Sequence, residues 1–329
     1  MKAVSIDRFG APDVLTLVDV DAPRPGPSDI LVRVHAAGVN FAETLQRQDR
    51  YAMTPPLPSI LGSEAAGVIE AVGGDVAGFS VGDRVAAPLF AAGIHFGGYA
   101  ELVAIDHRYA VGIPDAVSFE TAAALMVQGL TADHLTRQAS PTGKVVLITA
   151  AAGGVGSQLV QIARLRCAKT IVAAAGSTEK LDFARRLGAD IAIDYTRTDW
   201  TEALLTATGG EKPDIVYDSV GGDITMDCLK LLAPVGQMVL YGALNIQSFQ
   251  LGVPDLLGLI FNNQSLTGFA LVPLLTPDIL RQSLGDLFGL AASGALKVEI
   301  GRTFPLAEAA EAHRALGDRK TRGKIVLLP

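Results

Sequence analysis

The pattern of hydrophobic and polar positions changes its period along the chain. Residues 1 to about 120 carry short β-branched or alternating runs between glycine- and proline-rich turns. These runs predict strands at 2–6, 15–20, 30–39, 64–72, 84–87 and 99–104. Short strands at this spacing are typical of a barrel-like or sandwich unit. From Ser118, an expected N-cap, the pattern becomes helical.

Strands and helices then alternate from about 145 to 241, which indicates βαβ units around a parallel sheet. After about 270 the first pattern returns, with a predicted helix at 277–292, a strand near Val298, a helix at 306–316 and a last strand at 324–328. We expect this last strand to rejoin the β-rich part. The sequence therefore predicts an α/β fold, with one domain formed by 1–122 and 270–329 and a dinucleotide-binding domain formed by 123–269.

A glycine turn stands at the start of the alternating region. Val145 to Thr149 reads as a buried strand, and the segment Ala151-Ala-Gly-Gly-Val-Gly156 leads into a helix. It fits the fingerprint G-x-G-x-x-G with alanine in the first position, and such turns hold a pyrophosphate at the helix N-terminus. A small-residue turn also occurs in other α/β proteins, but the βαβ units downstream favour the cofactor interpretation. The residues predicted to bind the cofactor here are Ala152, Gly153, Gly154, Val155 and Gly156.

Composition and charge narrow the function classes. The 329 residues are 49% hydrophobic and 19% charged, which indicates a folded chain with room for two domains. A net charge of -7, with scattered basic residues, argues against a nucleic-acid partner. No apolar run reaches the roughly 18 residues of a membrane span, and the first residues lack a signal-peptide core. We expect a cytoplasmic protein without a membrane partner, in which Cys167 and Cys228 are buried packing residues.

Several ordered segments resemble the medium-chain dehydrogenase/reductase superfamily and, within it, the zinc-independent quinone oxidoreductases related to zeta-crystallin. They are Ala36-Ala-Gly-Val-Asn40, Leu61-Gly-Ser-Glu-Ala-Ala-Gly-Val-Ile-Glu-Ala-Val-Gly73, Val81-Gly-Asp-Arg-Val85, Gly97-Gly-Tyr-Ala-Glu101, Ala150-Ala-Ala-Gly-Gly-Val-Gly156, Leu187-Gly-Ala-Asp190 and Arg322-Gly-Lys-Ile-Val326. The resemblance implies a GroES-like catalytic domain formed by both chain ends, an inserted Rossmann domain, an active site in the cleft between them, and a homodimer.

Two positions depart from the zinc alcohol dehydrogenases of the same superfamily. Asn40 stands where those enzymes place a metal-binding cysteine, and Ser63 stands where they place the histidine before Glu64. The structural-zinc cysteines are absent from the sequence as well. The resemblance therefore implies no metal, and alcohol oxidation would lack its Lewis acid. Hydride transfer to an already activated acceptor is the chemistry that we expect.

The residues after the second strand of the alternating region indicate the cofactor. NAD-specific domains usually carry an acid about 20 residues past the glycines, but the strand at 170–176 ends without one and leads into Ser177-Thr-Glu-Lys180. Ser177 and Lys180 could bind a 2′-phosphate, and the resemblance places Tyr195 near it, so we predict NADPH. Ser177 and Glu179 could instead be capping residues and Lys180 a solvated charge, and Glu179 could be a displaced ribose acid.

The resemblance also indicates the reacting end of the site. It places Asn40, Tyr51, Gln128 and Thr131 around the nicotinamide and the substrate. Asn40 could bind the nicotinamide ribose or the acceptor oxygen, or could be a turn residue; Tyr51 could line the pocket or donate a proton. We take these two as catalytic candidates. Further cofactor contacts are expected from Gly242, Phe269 and Lys324.

Taken together, the sequence predicts an NADPH-dependent oxidoreductase that passes a hydride to a small-molecule quinone or enone. An enoyl-thioester reductase is one alternative, which would need a basic entrance for which Arg47, Arg50 and Arg108 are the candidates. A catalytically silent NADPH-binding protein is the other. The acidic charge and the lack of a basic patch disfavour RNA binding in that second case.

Overall fold

The computed structural model describes residues 1–242, 248–318 and 321–329. The chain forms two compact units: unit 1 comprises Met1–Leu130 and Val272–Pro329, and unit 2 comprises Thr131–Leu271. The chain thus passes between the units at Leu130 and Leu271. The sequence pattern predicts these limits at 122 and 269. No helix in the described ranges is both long and apolar enough to cross a membrane.

The N-terminal part of unit 1 is built from short strands. Its elements are β1 (Lys2–Ile6), β2 (Thr16–Asp19), β3 (Asp29–Val39), α1 (Phe41–Gln46), β4 (Ser59–Ile60), β5 (Ala65–Val72), β6 (Arg84–Ala87), β7 (Leu102–Asp106), β8 (Val111–Gly112) and α2 (Phe119–Ala124). Ser118 caps α2 as predicted, because its hydroxyl accepts the Thr121 amide at 3.1 Å. A single π-turn at 125–129 follows.

Unit 2 is a parallel sheet connected by helices. Its elements are α3 (Leu130–Gln138), β9 (Val145–Ile148), α4 (Gly154–Leu165), β10 (Thr170–Ala175), α5 (Thr178–Arg186), β11 (Ile191–Asp194), α6 (Trp200–Ala207), β12 (Ile215–Asp218), α7 (Gly222–Leu231), β13 (Gln237–Leu240), α8 (Val253–Phe261) and β14 (Ser265–Gly268). The six strands lie in the order β11-β10-β9-β12-β13-β14. This is the 3-2-1-4-5-6 order of a Rossmann fold, and it confirms the predicted doubly wound sheet.

The C-terminal residues complete unit 1. They form α9 (Pro277–Ala292), β15 (Ile300–Pro305), α10 (Ala309–Gly317) and β16 (Lys324–Leu328). Strand β16 pairs antiparallel with β3, with Val326 opposite Gly38, so the last strand rejoins the β-rich part as predicted. The larger sheet of unit 1 has the order β15-β16-β3-β5-β6-β8, with β7 also on β3, and the smaller sheet has the order β2-β1-β4. This is the expected GroES-like, β-rich architecture.

The two cysteines have different environments. Cys228 on α7 is fully buried, as predicted. The prediction for Cys167 is wrong, because this residue is exposed. It follows the end of α4 with a φ of 58°, so the chain turns at this position and the side chain does not join the helix's buried face.

Candidate functional site

The glycine turn of unit 2 brings backbone amides to the end of β9. Ala150 adopts a left-handed conformation with a φ of 47°, and the Gly153 amide donates to the Ala150 carbonyl at 2.9 Å. Helix α4 begins at the next residue, so the amides of its first turn have no intrahelical acceptor and can bind an anion. A Cβ on Gly156 would clash with the Ala150 carbonyl oxygen, whereas one on Gly153 would meet only that atom, at 3.2 Å. The two glycines therefore have different roles. Gly156 allows the helix to pack closely on the turn, whereas Gly153 leaves its side of the turn open to a ligand.

The other predicted cofactor residues of unit 2 follow neighbouring strands. Ser177 comes shortly after β10, Tyr195 after β11, Gly242 shortly after β13, and Phe269 after β14. The carboxyl ends of parallel strands lie at one edge of a sheet, and the strand order reverses beside β9. Ligands of open α/β sheets bind at such a switch point. The structure thus places these residues and the glycine turn along the same edge.

Three of these residues have local contacts that fix their positions. Ser177 caps α5, since its hydroxyl accepts the Lys180 amide at 3.4 Å; its role toward a phosphate stays a prediction. Tyr195 lies beside Gly176, where an added Cβ would be 3.5 Å from its ring. Gly242 allows the chain after β13 to pass Ser219, because a Cβ there would lie 2.9 Å from the Ser219 carbonyl oxygen.

A buried carboxylate fixes the strand ends beside the glycine turn. Asp218 is 1% exposed at the end of β12. It accepts hydrogen bonds from the Thr149 hydroxyl at 2.5 Å, from the Val220 amide at 3.2 Å and from the Thr225 hydroxyl. These bonds tie β9 to the start of α7. The sheet edge is therefore held by side chains as well as by the strand ladder.

Unit 1 contains a buried polar cluster, which we call the Asn40 cluster: Asn40, Glu43, Ser63, Glu64 and Lys324. The Lys324 ammonium forms an ion pair with Glu64, and both side chains are at most 1% exposed. It also donates to Asn40 Oδ1 at 2.6 Å, while Asn40 Nδ2 donates to Glu64 Oε1 at 2.9 Å. The Asn40 amide is therefore already oriented on both sides by charged partners.

Glu43 is the second carboxylate of this cluster. The Ser63 hydroxyl donates to its Oε1 at 2.8 Å, and the backbone N–H of Asn40 donates to its Oε2. Burial raises the pKa of Glu43 to about 7, against the lowering effect of Lys324 and with a further rise from Glu64. The ammonium is ion-paired with Glu64, and Glu43 gains or loses its proton near neutral pH. Such a group is typical of functional sites.

The remaining predicted residues have distinct positions. Tyr51 follows α1 and is 37% exposed. Burial, and then the charge of Glu43, raise its pKa, so its hydroxyl stays protonated and is a weaker acid than a free tyrosine. The buried Gln128 Oε1 has no hydrogen-bond partner among the described residues, and the preceding Val127 amide donates to Glu64 at 2.7 Å. Thr131 is buried in α3, and belongs to unit 2.

The positions that hold zinc ligands in the alcohol dehydrogenases carry neutral polar side chains here. Asn40 binds Lys324 and Glu64, and Ser63 binds Glu43. Within the described ranges, no three histidine, cysteine or acidic side chains are grouped so that they could hold a metal ion. At these two positions, Asn40 and Ser63 take part in the hydrogen-bond network that surrounds Lys324.

Comparisons with known proteins cover the whole chain. The family described as alcohol dehydrogenase GroES-like domain matches residues 26–115, and that described as zinc-binding dehydrogenase matches residues 187–327. A quinone oxidoreductase of Pseudomonas aeruginosa is 39% identical over 332 residues, covering 100% of this chain and 99% of the relative. A 2-haloacrylate reductase of a Burkholderia species is 35% identical over 343 residues, with 100% and 99% covered.

A solved structure leads to the same family. The Escherichia coli quinone oxidoreductase, crystallised with NADPH, superimposes with a TM-score of 0.91 at 33% identity, and the match covers 100% of both chains. Fold, motifs and full-length identity therefore agree, and the chain belongs to the quinone oxidoreductase family of the medium-chain dehydrogenase/reductase superfamily.

Proposed function

We propose that this protein is an NADPH-dependent reductase of quinones or of α,β-unsaturated carbonyl compounds. The observation that carries the proposal is the glycine turn at the switch point of a 3-2-1-4-5-6 sheet, where β10 is followed by Ser177 and Lys180. A full-length structural relative was crystallised with NADPH. When bound, NADPH supplies the hydride, and the protein supplies binding and orientation.

The residues present fit this cofactor. The open face of Gly153 and the free amides of the first turn of α4 suit a pyrophosphate. Lys180 has the charge that a 2′-phosphate needs, and the nearest acid in sequence, Glu179, lies in the first turn of α5 and not at the end of β10. The proposed contacts are Ala152, Gly153, Gly154, Val155 and Gly156 for the pyrophosphate, Ser177, Lys180 and Tyr195 for the phosphorylated ribose, and Asn40, Gln128, Thr131, Gly242, Phe269 and Lys324 toward the nicotinamide.

The substrate side of the reaction needs a proton as well as a hydride. We assign Tyr51 as the proton donor, because it is an ionisable hydroxyl close enough to the Asn40 cluster to feel the charge of Glu43. Glu43 acts on Tyr51 through its charge and exchanges a proton near neutral pH. Asn40, oriented by Lys324, presents its amide to the ribose or to the acceptor oxygen. The 2-haloacrylate reductase among the relatives supports an activated double bond as one acceptor.

Cofactor titration tests the proposed nucleotide site. We expect Gly153→Ala to keep the fold, because its new methyl group meets only the Ala150 carbonyl oxygen, yet to weaken NADPH binding about tenfold or more by filling the open face. Gly156→Ala, in contrast, should also lower the melting temperature of the protein, because its methyl group would clash with backbone atoms of Ala150 and Ala151. Fluorescence titration of NADPH and NADH measures the affinities, and Gly285→Ala, whose Cβ meets nothing, is the control.

The proposal predicts tighter binding of NADPH than of NADH by the unaltered protein. Equal affinity for the two nucleotides would contradict the assignment of Ser177 and Lys180. Unchanged NADPH affinity in Gly153→Ala would contradict the placement of the pyrophosphate.

We further propose that the protein is a homodimer formed through unit 2. Strand β14 is an edge of the sheet and offers unpaired backbone groups. Before it, α8 packs Leu259 against the core but exposes large apolar side chains, among them Ile260 at 67% and Phe261 at 78%. Such a patch beside a free edge fits a second copy of the same surface.

Light scattering after size-exclusion chromatography should give twice the mass of one chain. Phe261→Asp should shift the protein toward the monomer, because it places a charge in the apolar contact. Val81→Asp, on an exposed apolar residue of unit 1, is the control. A monomeric mass for the unaltered protein would contradict the dimer.

We also propose a cytoplasmic location, because the proposed cofactor is an intracellular reductant. Cell fractionation with an antibody against the chain checks this: enzyme recovered with the membrane or outside the cell would contradict it.

A further inference from the structure

A cavity of about 550 Å³ lies at the C-terminal end of α1. The loop at 9–12 forms one wall, and the chain after α1 forms the other, with Arg47, Gln48 and Arg50. The Gly10 amide donates to the Arg47 carbonyl at 3.0 Å, so the loop is anchored to the helix end. Asn40 caps the opposite end of α1, about 9 Å away along a helix of six residues. The cavity is thus separate from the Asn40 cluster.

Arg47 brings a buried positive charge to this cavity without a partner for it. The side chain is 3% exposed, and neither Nε nor Nη1 has a hydrogen-bond partner. In the part of the chain that the structure describes, no carboxylate lies within ion-pair distance of its guanidinium. Burial lowers the pKa of Arg47 accordingly. Native proteins pair buried charges because an unpaired one is costly, so this arginine requires an anion from elsewhere.

The titratable groups on the inner side of Arg47 do not supply that anion. The Tyr99 hydroxyl and His313 Nε2 form a hydrogen bond of 3.1 Å. Burial raises the pKa of Tyr99 well above its usual value, so the phenol stays neutral. Burial and the charge of Arg47 lower the pKa of His313 to about 3, so the imidazole stays neutral as well. The negative charge must therefore come from the cavity side.

Arg50 adds a second positive charge to the same wall. It too has no ion-pair partner within the described ranges, although the chain as a whole carries a net charge of -7. Arg166, a partly buried arginine, is paired with Asp133. Arg47 and Arg50 both line this cavity, so an anion bound there would lie near two positive charges. Guanidinium groups also match the geometry of carboxylates and phosphates.

The rest of the wall is apolar, formed by Phe9, Ala11 and Pro12. A cavity of this size suits a small organic ligand. We propose that it binds an organic oxyanion, a carboxylate or a phosphate monoester carried on a small apolar group. The site goes beyond the proposed reductase function, because binding there needs neither NADPH nor hydride transfer.

Isothermal titration with benzoate and with phenyl phosphate, at constant ionic strength, tests the site. We expect saturable binding of at least one of them, weakened tenfold or more in Arg47→Met and in Arg50→Met. Arg281→Met, on an exposed arginine paired with Asp278, should bind as the unaltered protein does. Which of the two probes binds more tightly identifies the oxyanion.

Thermal melting separates binding from a purely structural role of Arg47. Without ligand, Arg47→Met should melt at the same temperature or higher, because an unpaired buried charge is removed; the ligand should then raise the melting temperature only where both arginines are present. Absence of saturable binding of either probe to the unaltered protein would overturn the proposal. Unchanged affinity in Arg50→Met would do so too, even if Arg47→Met failed to fold.

Discussion

Replacing Lys324 with methionine is expected to lower the free energy of unfolding by about 3–5 kcal/mol. The substitution leaves Glu64 fully buried with no cation beside it, and it removes the donor that orients Asn40. The size of the effect follows from burial, because an uncompensated charge cannot be solvated inside unit 1. Urea unfolding of the two proteins at pH 7 measures the difference.

A matched lysine separates this effect from the loss of any ion pair. Lys169 pairs with Glu211 at 2.5 Å, but both side chains are about half exposed. Lys169→Met should therefore cost about 1 kcal/mol or less. The double variant Glu64→Gln with Lys324→Met should recover much of the loss, because Glu64 then carries no buried charge that needs the lysine. Equal costs for the two single lysine variants would show that burial of the pair does not determine its contribution.

Glu43 should give the protein a stability that falls with pH. Its pKa is about 7 when folded and 4.5 as the reference, so between these values the native state holds a proton that the unfolded state has lost. The contribution is fully present below pH 4.5 and is lost as the pH rises to 7, a change of about 3 kcal/mol. Glu43→Gln should remove this slope, and unfolding at a series of pH values measures it.

The exposed Glu202 on α6 provides the control. Glu202→Gln should leave the slope between pH 4.5 and 7 as it is in the unaltered protein. If Glu43→Gln also kept the full slope, a group other than Glu43 would carry the proton in this range.

The alternation of strands and helices was enough to predict the architecture of unit 2. The short apolar runs of its strands and the helical spacing of apolar residues between them are distinct in the sequence. Two helices were not predicted. Helix α1 spans six residues, too few to show a period, although the spacing of Asn40 and Glu43 matches a capping box and would have indicated its start. Helix α8 is apolar on almost every side, so it lacks the polar face by which a surface helix is recognised.

The Asn40 cluster could be predicted only in part. Asn40 and Lys324 were expected at the site, but their contact joins residues 284 positions apart, and the sequence carries no sign of the pairing between Lys324 and Glu64. Gly38 is required by this pairing, because a Cβ there would lie 2.8 Å from Lys324 Cε and would clash with Glu64. The motif glycine therefore makes room for a buried ion pair, which becomes visible only once β3 and β16 are adjacent.

The most direct test of the proposed function is oxidation of NADPH, followed at the nicotinamide absorbance, with a panel of quinones, enones and enoyl thioesters and with NADH as the comparison cofactor. We predict turnover of a quinone or an enone, faster with NADPH than with NADH. Binding of NADPH without turnover of any quinone or enone, or turnover of enoyl thioesters alone, would contradict the account.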